Sequence, residues 1–272
     1  MVLMMNRRQL VQAVAGLAAT TGLSMAGVHV DTSAPSPTRR PTPEPSRTPE
    51  PTREPEPQPT QETREPTPDP PEPALLRSGD SGPAVRSLQD RLSALGYWLG
   101  TPDGSYGPAT VGAVVALQKV AGLVRDGVTG PLTMSHVEAG TRPAARSGGA
   151  LHVEVDLARQ VLLLAGGGTV RTILATSTGS GERFRMEKKG PWYTAHTPPG
   201  TFRVFRQVDE WDKGPLGALY RPKYFNGGIA IHGFPVVPTQ PASHGCCRVS
   251  MSAMDMIWAT GAVPIGATVL VY

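Results

Sequence analysis

A long run of residues, from Thr32 to Pro73, consists almost entirely of proline, threonine, glutamate, arginine and serine. It carries almost no apolar side chain and therefore cannot bury enough surface to offset the entropy lost on folding. We predict a disordered, partly polyproline linker over residues 31–74, which acts either as an extended spacer or as a tail without a spacing role. The folded part of this 272-residue chain must then be clearly shorter than the chain.

Residues 1–30 have the pattern of an export signal. Arg7 and Arg8 are followed by an uncharged stretch, Leu10–Val28, and small residues frame a cleavage site after Ala26. The paired arginines fit a twin-arginine signal, and the general export route is equally open. An uncleaved N-terminal anchor is the alternative. We therefore expect an exported protein without stable membrane insertion once the signal is removed.

The charge balance bears on which partners the protein can bind, and the cysteine content on whether a disulfide stabilises it. The net charge is +4, which suits a surface that meets anionic polymers. Without a cluster of lysine and arginine, this excess does not indicate a nucleic-acid partner. The two cysteines are the neighbours Cys246 and Cys247. A disulfide between them would close too small a loop to stabilise the fold much.

Residues 75–140 have the pattern of a small helical domain. We expect Ser81 to cap the first helix and Gly96 to end it. Apolar residues recur there at helical spacing, at Val85, Leu88, Leu92 and Leu95.

The same scheme recurs twice further along this segment. Asp-Gly pairs predict turns, at Asp103-Gly104 and Asp126-Gly127. Gly-Pro pairs open the two following helices, at Gly107-Pro108 and Gly130-Pro131. Three short helices joined in this way predict a compact bundle.

Residues 150–272 have a different pattern. Alternating apolar and polar residues indicate a strand from Leu151 that turns at Asp156-Leu157 and enters a second strand. One helix candidate, residues 251–262, follows the cysteines. Many short strands and few helices predict a mainly antiparallel β-domain. The further strand candidates, split by glycine and proline, are residues 169–179, 200–208, 227–233 and 266–272.

Candidate catalytic residues cluster near the end of the chain. His232 lies at the end of a predicted strand, and Ser-His-Gly-Cys-Cys-Arg follows at residues 243–248. A cysteine attacks carbonyls as the thiolate, so Cys246 needs a nearby proton acceptor, which His232 can supply. Gly245 lets the backbone approach closely, with amide N–H groups aimed at a developing oxyanion. Arg248 can hold a substrate carboxylate or carbonyl.

This combination resembles the L,D-transpeptidase family, whose catalytic domain is also called YkuD. The family pattern is an early His-Gly at a strand end, then Ser/Thr-His-Gly-Cys, an apolar residue and Arg. Here it is met by His232-Gly233 and by residues 243–248, with Cys247 in the position that is usually aliphatic. The phrases STG at residues 177–179 and TPPGTFRV at residues 197–204 also match.

Residues 75–140 likewise resemble the peptidoglycan-binding domain found beside many wall enzymes. Together the two resemblances imply a multi-domain chain. A disordered linker would precede a three-helix peptidoglycan-binding bundle and a mainly β catalytic domain, a β-sandwich, at residues 150–272. They also imply a location in the cell wall or outside the cell, and a role in cell wall biogenesis and remodelling. The expected partners are peptidoglycan stem peptides and glycan strands, and we expect a monomer.

The family resemblance implies a thioester mechanism. Cys246 would attack the carbonyl of the third residue of a donor stem peptide and release the terminal D-alanine. The amine of a second stem's diamino acid would then take up the acyl group. His232 would accept the thiol proton and return one to the leaving amine, oriented by the backbone carbonyl of Gly233. No metal or cofactor is needed, and a carbapenem adduct on Cys246 is expected.

The remaining site residues have expected roles as well. His244 would shape the loop around the thiol, and Ser243 would assist either the oxyanion or His232. Tyr220 and Tyr224, which precede the catalytic strand, would form a lid or a wall of the substrate site.

Other classes of function stay open on the sequence alone. A cysteine carboxypeptidase or wall hydrolase would use the same thioester with water as the acceptor. A non-catalytic wall-binding protein would need only the helical bundle, although the intact Ser-His-Gly-Cys and Arg248 argue against it. Cys246 and Cys247 could also form a strained disulfide, be inert, or undergo reversible oxidation.

Overall fold

The computed structural model describes residues 75–272, and the predicted signal (1–30) and linker (31–74) lie outside the described residues. Within this part, no helix is long and apolar enough to span a membrane. The helices are α1 (Pro83–Ala94), α2 (Pro108–Ala121), α3 (Pro131–Glu138) and α4 (Met251–Ala259). The strands are β1 (His152–Asp156), β2 (Val161–Gly166), β3 (Thr169–Ala175), β4 (Arg183–Phe184), β5 (Tyr193–Thr194), β6 (Gly200–Arg203), β7 (Arg206–Gln207), β8 (Trp211–Gly214), β9 (Gly217–Asn226), β10 (Ile229–Phe234), β11 (Cys247–Ser250) and β12 (Thr268–Val271).

Glycine–proline pairs start all three helices of residues 75–140, which we call the helical module. Gly82, Gly107 and Gly130 are the N-caps, and a proline follows at the first helical position, where its missing N–H costs no helical hydrogen bond. The predicted three-helix bundle is confirmed. The expected cap by Ser81 is wrong, because Gly82, at a φ of 121°, is the N-cap and no side chain caps α1.

Two buried glutamines hold the Asp-Gly turns of the helical module. Nε2 of Gln89 donates to Oδ1 of Asp103 at 2.9 Å, and Nε2 of Gln118 donates to Oδ1 of Asp126 at 2.8 Å. Each aspartate oxygen also accepts the backbone N–H two residues further on. The two aspartates therefore form turns, as predicted, and each glutamine satisfies its buried amide by bonding to the turn that precedes a helix.

The rest of the described chain is a mainly antiparallel β-structure of two five-stranded sheets, as predicted. The first sheet has the order β3-β2-β1-β12-β6, and the second has the order β11-β10-β9-β7 with β8 paired to β9. Strands β4 and β5 form a separate hairpin. The pairs β1–β12 and β10–β11 are parallel. Helix α4 begins at the first residue of the predicted helix.

The first sheet is covered on both faces. Alternate residues of β2, Val161, Leu163 and Ala165, share one buried cluster with the apolar residues of α1 and α2. Leu162 and Leu164 point the other way, into a second cluster that contains α4 and the second sheet. Burial on both faces accounts for the unbroken apolar run in β2. The helical module and the β-structure therefore share a core.

The joint between the helical module and β1 is tied to the first sheet by Glu154. Its buried carboxylate accepts the backbone N–H groups of Arg146, at 2.9 Å, and Ser147, at 3.0 Å, and it contacts Nε2 of His152 and the hydroxyl of Tyr272. Burial alone would raise the pKa of Glu154, but these hydrogen bonds outweigh it and lower the pKa. The joint is thus an ordered contact that fixes the module against the sheet.

Candidate active site

The parallel pairing of β10 and β11 brings predicted site residues together. His232 on β10 lies opposite Arg248 on β11, and Ile231 lies opposite Cys247. Side chains alternate along a strand, so His232 and Arg248 share one face of the sheet. Ile231 and Cys247 point to the other face and are fully buried in the core. Cys246 directly precedes β11 and is partly exposed.

The thiol of Cys246 lies beside the start of β10. Its Sγ is 3.8 Å from the carbonyl oxygen of Gly228, and the backbone N–H of Ala230 donates to it. Burial raises the pKa of Cys246, whereas the Ala230 N–H and the guanidinium of Arg248 act in the opposite direction. The group is therefore a neutral thiol at neutral pH, so any reaction as the thiolate needs a base.

The imidazole of His232 is held in one tautomer. Its Nδ1 lies 2.9 Å from the carbonyl oxygen of Gly233. A carbonyl can only accept, so Nδ1 carries the ring proton and Nε2 is the acceptor. Burial lowers the pKa of His232 to about 4; the Gly233 carbonyl raises it and Arg248 lowers it. The imidazole is therefore neutral at pH 7, and Gly233 has the orienting position that the family resemblance implied.

Arg248 has a free donor beside the thiol and the imidazole. Its guanidinium carbon lies 4.2 Å from the ring centre of Phe234, and the same ring lies edge-on to His232 at 6.2 Å. Nη1 donates to the carbonyl oxygen of Ala242 at 3.0 Å. The buried Nε has no partner within residues 75–272. A buried donor without an acceptor costs about 1–3 kcal/mol, so the fold holds this nitrogen in place at a cost.

The hydroxyl of Ser243 holds together residues 243–246, which we call the catalytic loop. Ser243 Oγ donates to the carbonyl oxygen of Cys246 at 2.6 Å and accepts the N–H of Gly245 at 3.0 Å. The Gly245 N–H is thereby used inside the loop, so a developing oxyanion needs other donors. Gly245 is required because its φ is 139° and because a Cβ would lie 2.9 Å from the carbonyl oxygen of His196.

Tyr220 is not brought to the thiol. Its hydroxyl donates to Asp255 of α4 at 2.8 Å. Its ring lies directly against Gly233, where an added Cβ would be 2.6 Å from Tyr220 Cδ1. Because Gly233 and His232 face opposite sides of β10, Tyr220 packs on the face opposite to His232 and supports the strand from there.

Tyr224 and His244 lie nearer to the site. Tyr224 pairs with Ala230, two residues before His232, and its hydroxyl donates to Asp212 at 2.8 Å. This register places Tyr224 on the same face of the sheet as His232. His244 is exposed, and its ring lies 4.5 Å from that of Phe184 in the β4–β5 hairpin. His244 thus forms the outside of the catalytic loop.

Residues 176–180, which we call the support loop, pair with both ends of the catalytic loop. The N–H of Ser243 donates to the carbonyl oxygen of Thr178 at 2.9 Å, and the N–H of Ser180 donates to the carbonyl oxygen of Ser243 at the same distance. Ser177 exchanges backbone hydrogen bonds with Arg248, at 3.0 and 3.2 Å. The position of Cys246 is therefore fixed from a distant part of the chain.

Thr197 is a positioning residue to which sequence reasoning assigned no role. Its buried Oγ1 donates to the carbonyl oxygen of Gly245 at 2.6 Å and accepts the N–H of Gly179 at 2.9 Å. The family phrases at residues 177–179 and 197–204 included both Gly179 and Thr197. Their function depends on a partner 48 residues further along the chain, which no local pattern shows.

Replacing Thr197 by valine is expected to destabilise the protein. The variant keeps the branched shape but leaves the Gly245 carbonyl and the Gly179 N–H buried without partners, so the free energy of unfolding should fall by about 2 kcal/mol or more. Urea unfolding measures the change. Thr197→Ser keeps the hydroxyl and is the matched control. Equal stability of the two variants would contradict this role of Thr197.

The titration of His232 is a second prediction of this geometry. Because the folded pKa is about 4, the ring should stay neutral well below the ordinary pKa of 6.5. Between these two values the unfolded chain binds a proton that the folded chain refuses, so stability should fall as pH decreases. An NMR titration, with His232→Gln used to assign the resonance, should give a midpoint near 4. A midpoint near 6.5 would refute the buried neutral ring.

Both described parts of the chain match known protein families. Residues 81–136 match the family model of a putative peptidoglycan binding domain, and residues 150–271 match that of the L,D-transpeptidase catalytic domain. The solved structure of an L,D-transpeptidase from Xylanimonas cellulosilytica is 48% identical, with a TM-score of 0.71; the match covers 75% of this chain and 100% of that one.

The curated relatives match over a shorter span. A probable N-acetylmuramoyl-L-alanine amidase of Bacillus licheniformis is 48% identical over 73 residues, 26% of this chain and 21% of that protein. A zinc D-Ala-D-Ala carboxypeptidase of Streptomyces albus G is 43% identical over 65 residues, 23% of this chain and 25% of that protein. The chain thus spans a quarter or less of the length of these two relatives.

The match to the Xylanimonas structure is longer than those to the curated relatives. It includes the whole of that chain at nearly half identity. The catalytic-domain model independently matches the part of the chain that contains His232 and Cys246. The chain therefore belongs to the L,D-transpeptidase family.

Proposed function

We propose that this protein is an exported peptidoglycan L,D-transpeptidase with Cys246 as its nucleophile. The observation that carries the proposal is the hydrogen bond between His232 Nδ1 and the Gly233 carbonyl oxygen. It leaves Nε2 as the proton acceptor. His232 lies on the face of the sheet that also carries Arg248, two residues after Cys246. A neutral acceptor and a neutral thiol are the starting state of a general-base mechanism.

In the first half of the reaction the enzyme becomes acylated. The Cys246 sulfur attacks the carbonyl carbon of the third residue of a tetrapeptide stem while its proton passes to Nε2 of His232. The C–N bond to the terminal D-alanine then breaks, and the imidazolium returns the proton to the leaving amine. The product is a thioester on Cys246 and free D-alanine.

In the second half the side-chain amine of a diamino acid on another stem attacks the thioester. His232 removes a proton from this amine, the C–S bond breaks, and the sulfur recovers a proton from the imidazolium. A new amide bond joins the two stems, and the enzyme returns to its starting state.

Arg248 would stabilise the negative charge that develops on the attacked carbonyl oxygen, or bind a carboxylate of the stem. The effect of its charge on the pKa of Cys246 supports this role, since it places a positive group near the sulfur. The helical module would hold peptidoglycan near the site. A carbapenem, which also presents an electrophilic carbonyl, should acylate Cys246.

The products formed from a purified tetrapeptide wall fragment test the proposal. Mass spectrometry should show a dimer that has lost one D-alanine. Tripeptide without dimer would instead identify a carboxypeptidase, because water and an amine compete for the same thioester. Cys246→Ala is the control and should give neither product. If the native protein also gives neither, the enzymatic proposal is wrong.

A further inference from the structure

The helical module contacts the catalytic machinery through a buried lysine. Lys119 on α2 is 1% exposed, and its Nζ donates to the carbonyl oxygen of Thr176 at 2.7 Å. Thr176 is the first residue of the support loop, and its Oγ1 donates to the carbonyl oxygen of Arg248 at 2.8 Å. Two consecutive hydrogen bonds therefore join α2 to the residue two positions after Cys246.

A second cation of the module contacts the chain that leads into the catalytic loop. Nη1 of Arg125, just after α2, donates to the carbonyl oxygen of Thr239 at 3.0 Å and to Oε1 of Gln240 at 3.2 Å. Ser177 Oγ of the support loop donates to the carbonyl oxygen of Gln240 at 2.7 Å. The module thus holds the segments on both sides of Cys246, and these segments also hold each other.

The buried ammonium of Lys119 carries a desolvation cost that packing alone would not require. Burial lowers its pKa to about 7, with a smaller contribution from the charge of Arg125. An amine taken out of water needs acceptors from the protein, and here the acceptor is the Thr176 carbonyl. An apolar side chain of similar length could fill the same space without this desolvation cost. What the lysine adds is a fixed position for Thr176.

We propose that Lys119 is a positioning residue for Cys246 and Arg248, so that the helical module forms a structural part of the catalytic site. The proposal rests on the proposed function insofar as Cys246 is taken as the nucleophile. Without the donor on Lys119, the buried Thr176 carbonyl loses its partner, and Thr176 is then held by its N–H bond to the Gln160 carbonyl and its hydroxyl bond to the Arg248 carbonyl. Arg248 and the start of β11, which Thr176 and Ser177 hold, are then fixed less firmly relative to His232.

The test compares Lys119→Met with the native protein by hydrogen exchange and by kinetics. The amides of residues 246–250 should exchange about tenfold faster, the factor expected for one hydrogen bond of typical net strength. With a tetrapeptide substrate, kcat should fall about tenfold while KM changes little, because substrate contacts remain. Arg91→Met is the control, since within residues 75–272 Arg91 donates to carbonyls of the module, those of Val137 and Glu138.

A double-mutant cycle separates positioning from general loosening. If Lys119 acts through Thr176, then Lys119→Met combined with Thr176→Val should lower kcat no further than the worse single variant does. Additive losses, unchanged exchange in Lys119→Met, or an equal rise in Arg91→Met would each overturn the proposal. Should Lys119→Met fail to fold, Thr176→Val, which removes the hydrogen bond to the Arg248 carbonyl, carries the test, with faster exchange expected at residues 246–250 and unchanged exchange overturning the proposal. If the native protein releases no D-alanine, the proposed function fails, and the exchange comparison still decides this inference.

Discussion

Cys246→Ala should lower the release of D-alanine from a tetrapeptide stem by at least about 10⁴-fold, since the variant has no nucleophile to form the thioester. The neighbouring thiol cannot replace it. Cys247 is fully buried on the core face of β11, opposite Ile231, and burial raises its pKa far above the ordinary range. Release of D-alanine, measured with a coupled assay, gives the rate.

Cys247→Val is the matched control for this loss. The structure makes Cys247 a small apolar core residue in a cluster with Val249 and Met254. Valine is of similar size, so the variant should keep activity within about threefold and stability within about 1.5 kcal/mol of the native protein. If Cys246→Ala keeps activity and Cys247→Val loses it, the assignment of the nucleophile is wrong.

His232→Gln should lower kcat by about 10²–10⁴-fold, the usual contribution of a general base. Glutamine fills much of the space of the ring but cannot take up a proton. The variant should also lose the acidic limb of the pH profile of kcat/KM, which the native protein should show near the His232 pKa of about 4. The readout is therefore both a rate and the shape of a pH profile.

His136→Gln provides the comparison, because His136 lies in the helical module and contacts Oγ1 of Thr141 through its own Nδ1. It should retain the native pH profile and nearly native kcat. A His232→Gln protein that keeps the acidic limb, or a kcat within about tenfold of the native value, would show that another group accepts the proton.

Much of this fold was predictable from local pattern. The helical spacing of Val85, Leu88 and Leu92 depends only on which side chains face the core, and all three are buried. The Gly-Pro pairs predict the starts of α2 and α3, because proline lacks an N–H and the first helical position does not need one. The mainly antiparallel β-structure followed from many short strands in a row, and the family resemblance implied the sandwich.

Long-range contacts explain what the sequence did not show. Strand β9 and its partner β8 were not predicted. Strand β9 contains Pro222 and the buried Lys223, which are unusual in a strand. The Nζ of Lys223 lies over the ring of Trp258, 3.7 Å from its centre. Such a buried charge has no local signature. The core shared by the module and the first sheet also escaped prediction, since an apolar run such as that of β2 does not say what covers its second face.

The candidate site also has a part that the sequence predicted and a part that depends on long-range contacts. The family motif located His232, Cys246 and Arg248, and the strand register then places His232 and Arg248 side by side. The residues that fix Cys246 and its neighbours were not predictable as such, because Thr197 contacts Gly245 across 48 residues of chain and Thr176 contacts Arg248 across 72. Tyr220 lies close in sequence to the strand that carries His232, but it packs on the face of that strand opposite to His232.

The central claim is a covalent acyl-enzyme on one sulfur, and intact-protein mass spectrometry during turnover tests it most directly. After rapid acid quench of the native protein with a tetrapeptide stem, we expect a mass increase equal to the tripeptide acyl group. Fragmentation should place it on Cys246, hydroxylamine should remove it, and Cys246→Ala should never show it. Release of D-alanine without such an adduct, or an adduct at any other residue, would contradict the account.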